Sequence, residues 1–216
     1  MGDHGAFMDP ELRLPRDELA GQIRALGAGR HLIAIAGAPG SGKSHLAAEL
    51  AAQLNADAPD LAAAVPMDGV HLSNEILDAQ GLRARKGAPE TFDLAGFSEC
   101  LAALRAGGAD QAVPLFDRDA DRVLPDAGRV PQAARFILIE GNYLLLTRAA
   151  WRDLFPLFDL SVRLDVAPAE LRARLEARWQ AQGLTPSDIA ARVAADMDNA
   201  ILIARENRGA DFVIRD

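Results

Sequence analysis

The chain has 216 residues, half of them hydrophobic, with a net charge of −8 and a pI near 5.0. That length suits one sizeable α/β domain, and the acidic balance argues against non-specific binding to nucleic acid or to membrane surfaces. No apolar run reaches the roughly 20 residues of a membrane span, the first ten residues lack the apolar core of a secretory leader, and the single cysteine, Cys100, excludes an intramolecular disulfide; a cytoplasmic protein is expected.

Residues 1–15, with Pro10 and Pro15 and few apolar positions, read as a flexible N-terminus before one domain over 16–216. Leu19, Ile23 and Leu26 recur at helical spacing over 17–27. Buried strands are expected at Leu32–Ala36, Ala62–Met67, Phe136–Glu140 and Leu160–Val166, with a fifth at Phe212–Ile214. Helical patterns lie between them at Ser44–Leu54, Leu94–Ala106, Ala169–Ala181 and Ser187–Glu206. The last is announced by Thr185 and Asp188 in a capping-box pattern, with Pro186 at the first helical position. Strands that alternate with helices imply a doubly wound parallel sheet of about five strands, helices covering both faces. Residues 69–93 and 107–134, rich in Gly, Pro and Asp, read as long loops beyond the strand ends, and loops of that length tend to be functional.

Between the first strand and its helix stands Gly37-Ala38-Pro39-Gly40-Ser41-Gly42-Lys43-Ser44, followed by His45. It fits G-x-x-x-x-G-K-[ST]. The glycines let successive backbone N–H groups turn inward toward phosphate oxygens. The helix that follows offers unpaired N–H groups at its positive end. Lys43 brings a mobile charge to the β- and γ-phosphates, and the Ser44 hydroxyl ligates Mg²⁺. The stretch from Gly37 to His45 is thus the expected ATP site, although the side chains of His31 and His45 read as structural or surface groups. Of the 23 basic residues only Lys43 and Lys86 are lysines, so a lysine at this point is a choice. A forked arginine would not sit in the loop.

Neither lysine follows an Asn, which excludes the N-K-x-D base-reading motif of GTPases, and no L-S-G-G-Q transporter signature is present. Phosphoryl transfer to a small acceptor, or a nucleotide-driven switch, is left. An acceptor hydroxyl needs a carboxylate near the γ-phosphate. Asp68, in "AVPMDGVHLSN", lies just past the second strand at the carboxyl edge where open sheets bind ligands; Asp-Gly is also a common turn. Glu140 ends the apolar strand of "RFILIEGNYLLL" and suits a Mg²⁺-holding role through water. On the helix from Ala169, Leu171, Leu175 and Trp179 share one face, with Trp179 a core or lid-packing residue. Arg174 and Arg178 share another face, from which an arginine can stabilise a transferring phosphoryl group. No His/Cys cluster has metal-ligand spacing.

Taken together, "GAPGSGKS", "MDGVHLSN", "RKGAPETFD", "VPLFDRDADRV", "LIEGNYLLL", "LRARLEARW" and "ENRGADFVI" resemble the P-loop kinase group that contains uridine kinase, bacterial pantothenate kinase and phosphoribulokinase. The nearest likeness is to a bacterial branch provisionally named fructose transport system kinases. The resemblance runs from about Leu19 to the C-terminus. It implies Lys43 and Ser44 for phosphate and Mg²⁺, Asp68 as the catalytic carboxylate, Glu140 at the metal position and Arg178 as a lid arginine. It further implies acceptor-binding loops and a helix over 69–134, a lid over 168–195, and acceptor contacts from Lys86 and Asn199. Phe116 and Arg118 stand where pantothenate kinase has an acceptor-touching Tyr and His, and Gly87 or Ala88 where uridine kinase has a ribose-binding Asp. An Arg at 118 suits an anionic or polyhydroxy acceptor, and His71 is within the same loop region as a further candidate.

The expected activity is ATP-dependent transfer to a hydroxyl of a small molecule such as a sugar (fructose), a nucleoside or a pantothenate-like acceptor. No nucleic acid and no membrane insertion is expected, and a homodimer is allowed. Two alternatives stay open. A nucleoside-monophosphate kinase shares the Gly-x-Pro-Gly loop but normally carries D-G-x-P-R. A non-catalytic nucleotide-binding regulator of a sugar importer would need neither Asp68 nor the lid arginines.

Overall fold

Strand β-propensity and burial on two faces explain the main sheet. The structure, a computed structural model, describes residues 11–215. Its strands are Leu12–Arg13 (β1), His31–Gly37 (β2), Ala62–Pro66 (β3), Gln111–Asp117 (β4), Arg122–Val130 (β5), Phe136–Gly141 (β6), Leu160–Asp165 (β7) and Phe212–Arg215 (β8). The helices are Leu19–Arg24 (α1), Lys43–Asn55 (α2), Asn74–Ala79 (α3), Leu94–Ala106 (α4), Pro168–Ala181 (α5) and Pro186–Glu206 (α6). Six strands pair in parallel in the order β1-β8-β7-β2-β6-β3. Among the described residues no helix is long and apolar enough to cross a membrane.

The period of two divides β2 between both faces of the sheet. Leu32, Ala34 and Ala36 join Ile137 and Ile139 under Phe97, Leu101 and Leu104 of α4. Ile33 and Ile35 join Leu138 and Val162 under Leu46, Leu50 and Leu54 of α2 and Leu19 and Ile23 of α1. Helices α5 and α6 form a separate pair, joined by Leu171, Leu175, Val193, Met197 and Ala200. The Thr185 hydroxyl accepts from the Asp188 N–H and donates to its carboxylate, closing the start of α6.

Three expectations are revised. The sheet has six strands, because Leu12–Arg13 pairs with Phe212–Val213 at its edge; of the N-terminal stretch read as flexible, residues 1–10 lie outside the described residues. The stretch over 107–134 is an antiparallel β4–β5 hairpin, not a loop. Its apolar signal is faint, since Val113 and Val130 are its buried members and Pro114 and Pro125 interrupt the pattern. The stretch over 69–93 carries α3 and short 3₁₀ turns.

Candidate active site

The Gly-rich loop leaves β2 and enters α2 through Gly42, whose φ of +92° only glycine adopts without strain. Lys43 is 8 % exposed and its Nζ donates to the Ala38 carbonyl at 2.9 Å. The pairing of β2 with β6 sets Ile35 opposite Glu140, so Glu140 emerges beside the start of α2. There the Ser44 Oγ donates to Glu140 Oε1 at 2.8 Å. Burial pushes the Lys43 ammonium down and the Glu140 carboxyl up in pKa, and the attraction between the two opposes both shifts.

Asp68 sits in the 3₁₀ turn that follows β3. Gly69 lets that turn pack against the hairpin, where a Cβ would fall 2.1 Å from the Pro114 carbonyl oxygen. The glycine of the Asp-Gly pair is thus demanded by close packing as well as by the turn. The Asp68 carboxylate accepts from Arg118 Nη2 at 2.5 Å. His71 packs between Phe92 and Phe116, ring centroids 4.1 and 4.7 Å away, with Nδ1 2.7 Å from the Asp68 carbonyl oxygen. An Nδ1–H donated there leaves Nε2 as an acceptor.

These groups face one cleft of about 450 Å³. Of the residues expected from the sequence, Pro39, Gly40, Gly42, Lys43, Ser44, His45, Asp68, His71, Arg118, Glu140, Arg178 and Asn199 line it. His45 is exposed there. Gly37, Ala38 and Ser41 instead line a second cavity behind the loop. Lys86 and Phe116 stand outside the cleft lining. Lys86 Nζ is bound to Asn74 Oδ1 at 2.6 Å and Asp121 Oδ1 at 2.7 Å, and lies 4.8 Å from the Phe116 ring centre.

Helix α6 brings two residues that no expectation named, Arg192 and Asp196, which line the cleft together with the expected Asn199, beside Trp179 and Arg174 of α5. Trp179 Nε1 donates to Asp196 Oδ2 at 3.0 Å, while Arg178 and Arg192 approach its ring at 5.0 and 4.9 Å. Burial raises the Asp196 pKa against the pull of Trp179 and the two arginines. Their i, i+4, i+7 spacing was the available signal. Gly87, from the stretch "RKGAPETFD", and Asn142, from "LIEGNYLLL", also line the cleft.

The chain is 36% identical over 188 residues to the uncharacterized protein YggC of Escherichia coli (strain K12), covering 86% of this chain and 77% of that one. It is 34% identical over 178 residues to a provisionally named uridine kinase of Schizosaccharomyces pombe, covering 80% and 76%. Among solved structures, a protein of Silicibacter sp. TM1040 provisionally named a fructose transport system kinase superposes with a TM-score of 0.83 at 43% identity, covering 90% of this chain and 98% of that one. The family model for phosphoribulokinase and uridine kinase matches residues 32–216. With its loop, sheet order and helices α5 and α6 arranged around one cleft, the chain belongs to the Phosphoribulokinase / Uridine kinase family.

Proposed function

We propose that the protein transfers the γ-phosphoryl group of ATP to a hydroxyl of a small molecule. The observation that carries the reading is the meeting of Asp68 with Lys43 and Arg178 across one cleft, from three separate elements. Phosphate-binding machinery alone would not need a carboxylate at the end of β3. The residues also suit a magnesium nucleotide: Ser44 and Glu140 present hard oxygen donors side by side, next to the buried Lys43. Magnesium held near Ser44 and Glu140 would neutralise charge on the β- and γ-phosphates.

The loop amides and Lys43 hold the phosphates, and Arg178 meets charge that spreads over the transferring group. Asp68 aligns the acceptor hydroxyl and takes its proton late in the transfer. A bond forms from the hydroxyl oxygen to the γ-phosphorus, the bond from that phosphorus to the β,γ-bridging oxygen breaks, and ADP leaves. Positioning and charge neutralisation supply most of the acceleration.

Incubation with γ-labelled ATP and a panel of sugars, nucleosides, vitamins and hydroxy acids tests this. Label on an alcohol oxygen is the expected result. Label only on a nucleoside monophosphate, or nucleotide binding with no transfer to any alcohol, would overturn it.

A further inference from the structure

Arg118 is the first residue past β4, and its turn is braced on both sides. The Asp117 carboxylate accepts from the N–H groups of Asp119 and Ala120 at 3.0 Å each. Asp121 is gripped by Lys86 at 2.7 Å and by Asn74 Nδ2 at 3.0 Å. The Arg118 side chain is 51 % exposed, against 26 % for Asp68. The mount therefore fixes the turn from which the Arg118 guanidinium reaches the carboxylate that the reaction needs.

The other carboxylates of the cleft are engaged. Glu140 accepts from Ser44 and faces the charge of Lys43. Asp196 accepts from Trp179 and lies near Arg178 and Arg192. An acceptor hydroxyl that takes up an oxygen of Asp68 displaces or shares the bond to Arg118. The phosphoryl end already has the loop amides, Lys43 and Arg178. Water can solvate the half-exposed Arg118 once it leaves its carboxylate, but an anion that arrives with the acceptor restores the charge-assisted bond that water does not match.

We propose that the acceptor is an alcohol that carries its own anion, a carboxylate or a phosphate, which Arg118 holds while the hydroxyl lies on Asp68. Because Arg118 and Asp68 touch, the anion and the reacting hydroxyl lie only a few carbons apart. Lys86 is a positioning residue: it acts through Asp121 and the hairpin turn. This inference rests on the alcohol-kinase reading above.

Matched pairs of acceptors test it: glycerate against glycerol, gluconate against sorbitol, and fructose 6-phosphate against fructose. The carboxylate and phosphate arms distinguish the two anion types. The expected result is higher kcat/KM for the anionic member of at least one pair. Arg118→Gln should then lower kcat/KM for that acceptor by about 10–100-fold, the range for one charged hydrogen bond, with a much smaller change for its neutral partner and for KM of ATP. Arg118→Lys should recover part of the loss. Lys86→Met should raise KM for the anionic acceptor more than it lowers kcat, and by a larger factor than for the neutral one. Preference for the neutral members, or an equal loss on both members in Arg118→Gln, would overturn the inference and leave the kinase reading intact. Wild-type protein that phosphorylates no alcohol would overturn the kinase reading itself.

Discussion

Ser44 and Glu140 stand 96 positions apart in the chain and share a hydrogen bond of 2.8 Å. Adjacent parallel strands make this possible: β6 ends level with the point where β2 turns into the loop. In Glu140→Gln the Ser44 bond can persist while the charge is lost. The Mg²⁺ concentration for half-maximal activity should rise by about 10–100-fold. Thermal stability should not fall, because burial already disfavours the charged carboxylate. A magnesium titration of activity beside a melting curve checks both parts.

Asp68→Asn should lower turnover by roughly 10²–10⁴ with little change in nucleotide affinity. Lys43→Ala should lower it by about 10²–10³ and weaken nucleotide binding as well. Nucleotide titration by calorimetry, run beside steady-state kinetics, separates the two. Full activity in Asp68→Asn on the true acceptor would sink the assignment of the base.

Burial between Phe92 and Phe116 lowers the pKa of His71 from its ordinary value, against the opposing bond to the Asp68 carbonyl. The folded value lies below the unfolded one, so the neutral ring stabilises the fold above the unfolded value. That contribution is lost as pH falls through the folded value. From about pH 8 down to 6.5 the ring stays neutral and can accept a bond from a ligand. Below that range the melting temperature should drop, and the drop should shrink in His71→Gln. A ring titration by NMR with a midpoint above about 6.5 would contradict this.

Tyr143 is fully buried, and its hydroxyl donates to the Gly87 carbonyl at 2.6 Å, fastening the loop that lines the cleft to the core. Tyr143→Phe should cost about 1 kcal/mol, read as a fall of about 2–4 °C in Tm. KM for the acceptor should rise as the loop loosens. A melting curve and acceptor kinetics on the same preparation check the pair of effects.

The phosphate loop, the strands from Leu32, Ala62, Phe136, Leu160 and Phe212, and the start of α6 were all legible in the chain itself. Each depends on neighbours in sequence: glycines that permit a tight turn, apolar runs that suit burial on two faces, a threonine three residues before an aspartate. The hairpin over 111–130, the grip of Lys86 on Asp121, the contact of Arg118 with Asp68 and the joining of Arg192 and Asp196 to Asn199 in one cleft were decided only by tertiary structure. Those residues are polar and up to dozens of positions apart. No period or turn chemistry links them, because their partners are selected by which strand ends and helix faces the folded sheet brings to one edge.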